Sequence, residues 1–188
     1  MRYSLLESNP LFFFFFLKYS WAIRNCGLLL LRSLIDCLFG TNESKTSMEA
    51  GWDGRTTRIS YSRFPALPVV LVNLLEMGQQ TSGVLIGTQT AESVFPALDI
   101  IRRAGPPEAF REKLYDIIAW YLGSRIWHVR EIAARTLCSF LLKPGWIEAV
   151  EILIADSKGS ANKLHGALLT LKFLLERLLE VMPHLLFG

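Results

Sequence analysis

The stretch that decides the fold is Trp127-His128-Val129-Arg130-Glu131-Ile132-Ala133-Ala134-Arg135-Thr136-Leu137-Cys138 (WHVREIAARTLC, residues 127–138). A Trp opens it, an Arg follows three residues later, and small residues and a Leu come next at helical spacing. An earlier stretch has the same form: Trp21-Ala22-Ile23-Arg24-Asn25, continued by Cys26-Gly27 and Leu30. A weaker echo, Asn162-Lys163-Leu164-His165-Gly166-Ala167, lies some 35 residues after the second. A recurring helix start with small residues where helices would cross is the mark of stacked helical hairpins. HEAT-type units, of about 40–47 residues, carry such an Arg near the start of their second helix. The expectation is an all-α, HEAT/armadillo-like α-solenoid fragment of antiparallel helix pairs; a closed helical bundle is the alternative.

Working outward, the chain divides into apolar helical segments and short breaks. Ser20 suits the N-cap of a helix opening at Trp21, with Ile23, Cys26, Leu30, Leu34 and Cys37 at helical spacing and Gly40 as its stop. A short helix follows Pro65 and Pro68 and ends near Met77-Gly78, and a Gly/Thr/Gln-rich break fills 78–90. The next helix covers Ser93 to Ala104 and meets a firm stop at Gly105-Pro106-Pro107. Phe110, Leu114, Ile117 and Tyr121 share one face of a helix ending at Gly123. Further helices run from about Arg125 to Leu142 and from Trp146 to Ala155. In the last helix Leu164, Leu168, Leu171, Leu175, Leu178 and Met182 step by 4, 3, 4, 3, 4, with Lys172 and Glu176 paired at i,i+4. No segment alternates with period two, so no sheet is expected.

The 188 residues are 51% hydrophobic, enough for one core and too few for two ordinary domains. The net charge of +3 lies entirely in residues 1–32, where Arg2, Lys18, Arg24 and Arg32 face Glu7; the rest balances 16 basic against 16 acidic groups. Bulk charge therefore gives no argument for nucleic acid. The run Leu11-Phe12-Phe13-Phe14-Phe15-Phe16-Leu17 lacks a small-residue cleavage site and is too short to span a bilayer. Residues 1–19 are expected to be a non-native or disordered low-complexity leader, with a membrane anchor as the competing reading, and residues 20–188 to form the helical repeat domain.

Chemistry-bearing patterns are sparse. Cys26 and Cys37 lie three helical turns apart, about 16 Å at 1.5 Å per residue, too far to share an ion. With Cys138 they are expected to be buried free thiols. His128 and Glu131 have no second such pair, and no G-x-S-x-G, P-loop or G-x-G-x-x-G occurs. No enzyme activity, catalytic residue, metal or cofactor is expected. Two features suit binding. The loop 41–63 interleaves Lys45, Trp52, Arg55, Arg58, Tyr61 and Arg63, a composition that can stack on bases and meet phosphates. Glu43, Glu49 and Asp53 in the same loop leave a solvated or partner-packed loop equally open. The other feature is the echoed helix start. Trp21, Arg24, Asn25, Trp127, Arg130, Asn162 and His165 are expected to hold neighbouring repeats together, with Arg24 and Arg130 bonding carbonyls or an acid of the next repeat first and RNA second.

Five segments carry a resemblance: SWAIRNCGLLLLRSLIDCLFG (20–40), RISYSRFPALP (58–68), VFPALDIIRRAGPPE (94–108), WHVREIAARTLC (127–138) and ANKLHGALL (161–169). In that order they resemble the large eukaryotic family that includes the thyroid-adenoma-associated protein and the fungal regulators of tRNA ribose 2′-O-methylation. Members are much longer α-solenoids, and the fungal ones are non-catalytic partners of a methyltransferase acting on the tRNA anticodon loop. The resemblance implies an adaptor whose partners are that methyltransferase's catalytic subunit and tRNA, in the cytoplasm, and it carries over no catalytic residue. It also implies an interior slice of such a regulator, with a truncated gene product lacking independent activity as one expectation. A general scaffold for other proteins is the competing function.

Overall fold

Glycine and proline set most of the helix ends. In the computed structural model of the chain, residues 59–81 and 89–181 are described, with five further helical positions at Cys26, Leu29, Leu30, Ser33 and Cys37. Six helices follow in order: α1 (Ala66–Thr81), α2 (Gln89–Ala104), α3 (Arg111–Tyr121), α4 (Trp127–Phe140), α5 (Trp146–Ala155) and α6 (Ala161–Val181). Short 3-10 turns at Tyr61–Arg63 and Glu108–Phe110 precede α1 and α3. Among the described residues there is no strand. Gly105, Gly145 and Gly159 take φ of 84°, 80° and 98° at three of the breaks, a backbone that side chains with a Cβ rarely adopt. Ser160 caps α6 by accepting the amide of Lys163 at 3.3 Å.

Two helices exceed their expected bounds. α1 runs past Gly78 to Thr81, and α2 begins at Gln89 rather than Ser93. Pro96, which would sit in the first turn of a helix opening at Ser93, lies well inside α2. The ring removes one helical hydrogen bond there, and packing of the helix on its neighbours overrides that local cost. The first two of the three thiols also differ from expectation. Cys26 and Cys37 are exposed, and only Cys138 is buried. A thiol is small enough to tolerate either side of a helix, so its residue type does not fix the face.

The helices pair as α1 with α2, α3 with α4 and α5 with α6, each pair joined by a short connection. Across pairs, α1 lies on α3, while α2, α4 and α6 stack side by side. This is the two-layer arrangement of a solenoid, in which each pair contacts the next and buries its apolar faces only through that contact. The helices of the second layer begin at residues 89, 127 and 161, steps of 38 and 34. Leu71, Leu75, Leu98, Ile101, Leu114, Ile118, Leu137, Leu174 and Leu178 are fully enclosed in one continuous core. Each such side chain stabilises the fold by about 1.5–3 kcal/mol relative to exposure.

The leucine stripe that announces α6 is only partly the face it buries. Ala167, Thr170, Phe173, Leu174 and Leu178 are buried, whereas Leu164, Leu168 and Leu175 remain exposed. The buried side is chosen by fit. A Cβ at Gly166 would fall on the backbone and side chain of Leu122, so the glycine lets α6 approach the end of α3. Thr136 and Thr170, 34 residues apart and both fully buried, bond back to Ile132 O at 2.7 Å and Gly166 O at 2.9 Å. Thr136 also donates at 3.2 Å to Leu98 O, across to α2.

Candidate functional site

Arg130 is the most constrained of the residues singled out from the sequence. It lies one turn into α4 and is 9% exposed. Its Nη1 donates to Ser124 O at 2.6 Å and to Arg125 O at 3.1 Å, both in the turn between α3 and α4. Its Nε donates at 3.2 Å to His165 Nδ1, on α6 of the next pair. One planar guanidinium thus satisfies two carbonyls that lie beyond the reach of the α4 backbone and ties one pair to its neighbour. The group meeting it from the next pair is an imidazole nitrogen, where an acid was the alternative. His165 is part-buried and follows Ser160, Asn162 and Lys163 in the first turn of α6.

Trp127 opens α4 and is 45% exposed, edge-on to His128 with ring centroids 4.9 Å apart. Asn162 is part-buried at the second position of α6. The structure therefore brings Arg130 and His165 into contact and leaves Trp127, three residues before Arg130, partly exposed. Trp21, Arg24 and Asn25 lie outside the described residues, as do Lys45, Trp52, Arg55 and Arg58 of the basic-aromatic loop. Arg63 is described, exposed, and ends the 3-10 turn before α1.

The place where that loop rejoins the helical body is firmly held. Ile59 is buried, and the Tyr61 hydroxyl donates at 2.6 Å to Gly105 O in the turn between α2 and α3. Pro106 and Pro107 are buried beside it. Burial drives the Tyr61 phenol well above its ordinary range. A second buried tyrosine was legible only as part of an apolar face. Tyr121 donates at 2.5 Å to Leu75 O, tying α3 to α1, and Gly78 leaves room for its hydroxyl. Burial raises this phenol as well. Burial likewise raises Tyr115, with Asp116 and Asp156 adding to it.

These groups act as anchors rather than as proton carriers. Some of the described guanidinium and ammonium groups are met by carboxylates on their own or a neighbouring helix, such as Arg102 with Asp99 at 2.7 Å, Lys113 with Glu76 at 2.7 Å and Arg135 with Glu131 at 3.1 Å, whereas Arg63, Arg125, Lys143 and Lys158 are exposed. Arg135 also stacks 4.1 Å over the Phe173 ring, a second link from α4 to α6. Among the described residues no group of three or more His, Cys, Asp or Glu could hold a metal ion. No described helix is long and apolar enough to cross a membrane. The arrangement is suited to displaying a shaped surface.

Comparison with known proteins adds the decisive observation. The family described as Trm732, C-terminal TPR repeats, matches residues 24–174. The chain belongs to this family. Tetratricopeptide units are about 34 residues long, and the second-layer helices here step by 38 and 34 residues, consistent with a TPR- or HEAT-like helical repeat. The all-helical, paired architecture is common to both. Among the relatives, the tRNA (32-2′-O)-methyltransferase regulator trm732 of Schizosaccharomyces pombe is 27% identical over 168 residues, covering 82% of this chain and 11% of that protein. The Homo sapiens regulator THADA is 29% identical over 170 residues, covering 83% of this chain and 9% of its own length. The Chlorocebus aethiops THADA is 27% identical over 187 residues. The chain thus spans about a tenth of the curated relatives it matches. No solved structure matches it.

Proposed function

We propose that the chain works as a non-catalytic adaptor in ribose 2′-O-methylation of tRNA, supplying a rigid helical surface to a methyltransferase that performs the chemistry. The observation that carries this reading is the match of residues 24–174 to the Trm732 C-terminal repeats, with relatives named as regulators of a tRNA (32-2′-O)-methyltransferase. The geometry supports a division of labour. The body formed by α1–α6 meets the protein partner, since several of its basic groups, Arg102, Lys113 and Arg135 among them, are paired with acids. The loop 41–63, rejoining the body at the Tyr61–Gly105 bond, offers Lys45, Trp52, Arg55, Arg58 and Arg63 to tRNA. Arg130 and His165, with Trp127 and Asn162 beside them, set the stacking of adjacent pairs; Trp21, Arg24 and Asn25 take the corresponding role at the earlier echo. In this reading residues 20–188 form the working unit, residues 1–19 add nothing to it, no cofactor is used, and the setting is the cytoplasm.

A second reading is a general protein-binding scaffold with no RNA contact, favoured by the same paired charges. A chimera tests the two together. Residues 24–174 replace the matching segment of the fission yeast regulator, and 2′-O-methylation at position 32 is measured in cells lacking that regulator. Restored methylation supports the adaptor, and stable expression of the chimera without methylation contradicts it. Replacing Arg55, Arg58 and Arg63 by Ser should then lower methylation while methyltransferase co-purification persists. Unchanged methylation would favour the scaffold.

A further inference from the structure

We propose that the edge formed by the α3–α4 and α5–α6 turns binds unpaired RNA, with Trp120 and Trp127 stacking on bases and Arg125, Lys158 and Lys163 meeting phosphates. The two turns lie side by side. Arg130, near the start of α4, meets His165, near the start of α6, and further along Arg135 lies over the Phe173 ring. α4 and α6 therefore run in the same direction and begin at the same end. A Cβ on Gly123 would come within 3.8 Å of that of Lys163, which sets the first turn of α6 against the α3–α4 connection. The α3–α4 pair has a described neighbour on each side, so its turn is an interior part of this edge.

Charge selects the class of ligand. Residues 120–128 carry Arg125 and no acid, and residues 156–165 carry Lys158 and Lys163 against Asp156. Arg125 and Lys158 are exposed, and among the described residues no acid pairs with either. Lys163 donates to the Asp156 carbonyl at 3.1 Å and keeps donors for a further acceptor. The next acids on α3 and α4 are Asp116, one turn before Trp120, and Glu131, which Arg135 holds at 3.1 Å. The opposite end of the stack is balanced. Residues 105–111 and 141–148 hold Arg111 and Lys143 against Glu108 and Glu148, and Arg111 lies 3.7 Å from Glu108. A polyanion is drawn to the turn edge, and the rest of the body is left to a protein partner. The rings narrow the choice further. Trp120 and Trp127 are each 45% exposed and stand singly among polar and charged groups. Rings so placed stack on unpaired bases, whereas a duplex keeps its bases stacked on one another. Neighbouring helices pack about 8–10 Å apart, so the charges of successive turns form a row along which a strand can run. The proposal needs RNA alone. It requires neither the methyltransferase nor the loop 41–63, which rejoins the body at Gly105 on the opposite end.

The test is a fluorescence-anisotropy titration of the full chain with a labelled RNA hairpin that carries an unpaired loop, at about 50 mM and about 200 mM salt. The expected result is binding that weakens steeply at the higher salt. Arg125→Ser/Lys158→Ser should raise Kd about tenfold at the lower salt and flatten the dependence of log Kd on log salt by about 1. Trp120→Ala/Trp127→Ala should raise Kd about tenfold or more at both salts and leave that slope unchanged. Trp120→Phe/Trp127→Phe, which keeps the rings, should recover most of the loss, and the helical signal of each variant checks that the fold is intact. Three results overturn the proposal: no binding at the lower salt, loss confined to the Arg55, Arg58 and Arg63 variant, and a double Ala variant that binds like the original chain, which would mark plain attraction of a polyanion. None of these readouts involves methylation, so this proposal and the adaptor reading fail separately.

Discussion

Arg130 carries more of the structure than its surface-type chemistry suggests. Three acceptors converge on it, two from the turn before its helix and one from the following pair. Hydrogen bonds to a charged group contribute about 1.5–3 kcal/mol, and leaving buried acceptors unmet adds to the loss. Arg130→Met is therefore expected to cost about 2–3 kcal/mol in urea unfolding. Arg130→Lys should recover only part of this, since an ammonium cannot span carbonyl and imidazole together. A double-mutant cycle with His165→Ala should give a coupling clearly above about 0.5 kcal/mol, and a coupling near zero would remove the inter-pair role. Gly166 tests the same contact by size. Alanine improves helix propensity by about 1 kcal/mol, but here its methyl would meet the Leu122 backbone, which cannot swing aside. Net destabilisation of about 1–3 kcal/mol is expected for Gly166→Ala. Gly123→Ala, whose added carbon would find only ordinary contacts, should be close to neutral.

Titration at single residues gives a further prediction. Burial pushes the Cys138 thiol up to about 11, while a hydrogen bond from Ser139 and the charges of Arg177, Arg135 and Arg102 pull the other way. Its folded value lies above its unfolded one. The stability this group contributes is therefore complete below the unfolded value and is lost as pH rises toward the folded one. The raised phenols of Tyr61 and Tyr121 act in the same direction at higher pH. The urea midpoint should fall progressively above about pH 8.5. Thiol labelling of the native chain should modify Cys26 and Cys37 quickly and Cys138 only on unfolding. A pH-independent midpoint or rapid labelling of all three thiols would contradict the placement of Cys138.

At the level of elements, α6 separates what periodicity reveals from what it conceals. Leu164 to Leu178 announce a helix from sequence alone, because any amphipathic or doubly apolar helix repeats with that period. Which side is buried depends on the partner, and here the small residues Gly166, Ala167 and Thr170 mark it better than the leucines do. Leu174→Ala should cost about 2–5 kcal/mol, whereas Leu168→Ala should change stability by less than about 0.5 kcal/mol. Equal effects would mean that the exposed and buried sides are wrongly assigned. Other elements divide in the same way. Gly105-Pro106-Pro107 and Pro144-Gly145 act through backbone geometry that is local, so these breaks were legible. The start of α2 was not, because Pro96 is a local signal that tertiary packing overrides. The guanidinium of Arg130 was expected to bond carbonyls, but its partner on the next pair is settled only by how the pairs stack. Cys26 and Cys37 show the limit of residue type as a guide to burial.

For the whole molecule, pairs of helices that contact only their neighbours build a surface extended in one direction. Such a form offers a surface for binding by shape and hydrogen bonding across several units. On the proposed reading, a protein partner meets α1–α6 with little dependence on salt, while the basic-aromatic segment meets RNA with strong dependence. The most direct test is the affinity of the full chain for a tRNA 2′-O-methyltransferase and, separately, for tRNA, each measured at about 50 mM and about 200 mM salt. The account predicts methyltransferase binding that persists at the higher salt and tRNA binding that weakens steeply. Failure to bind the methyltransferase at either salt would contradict it.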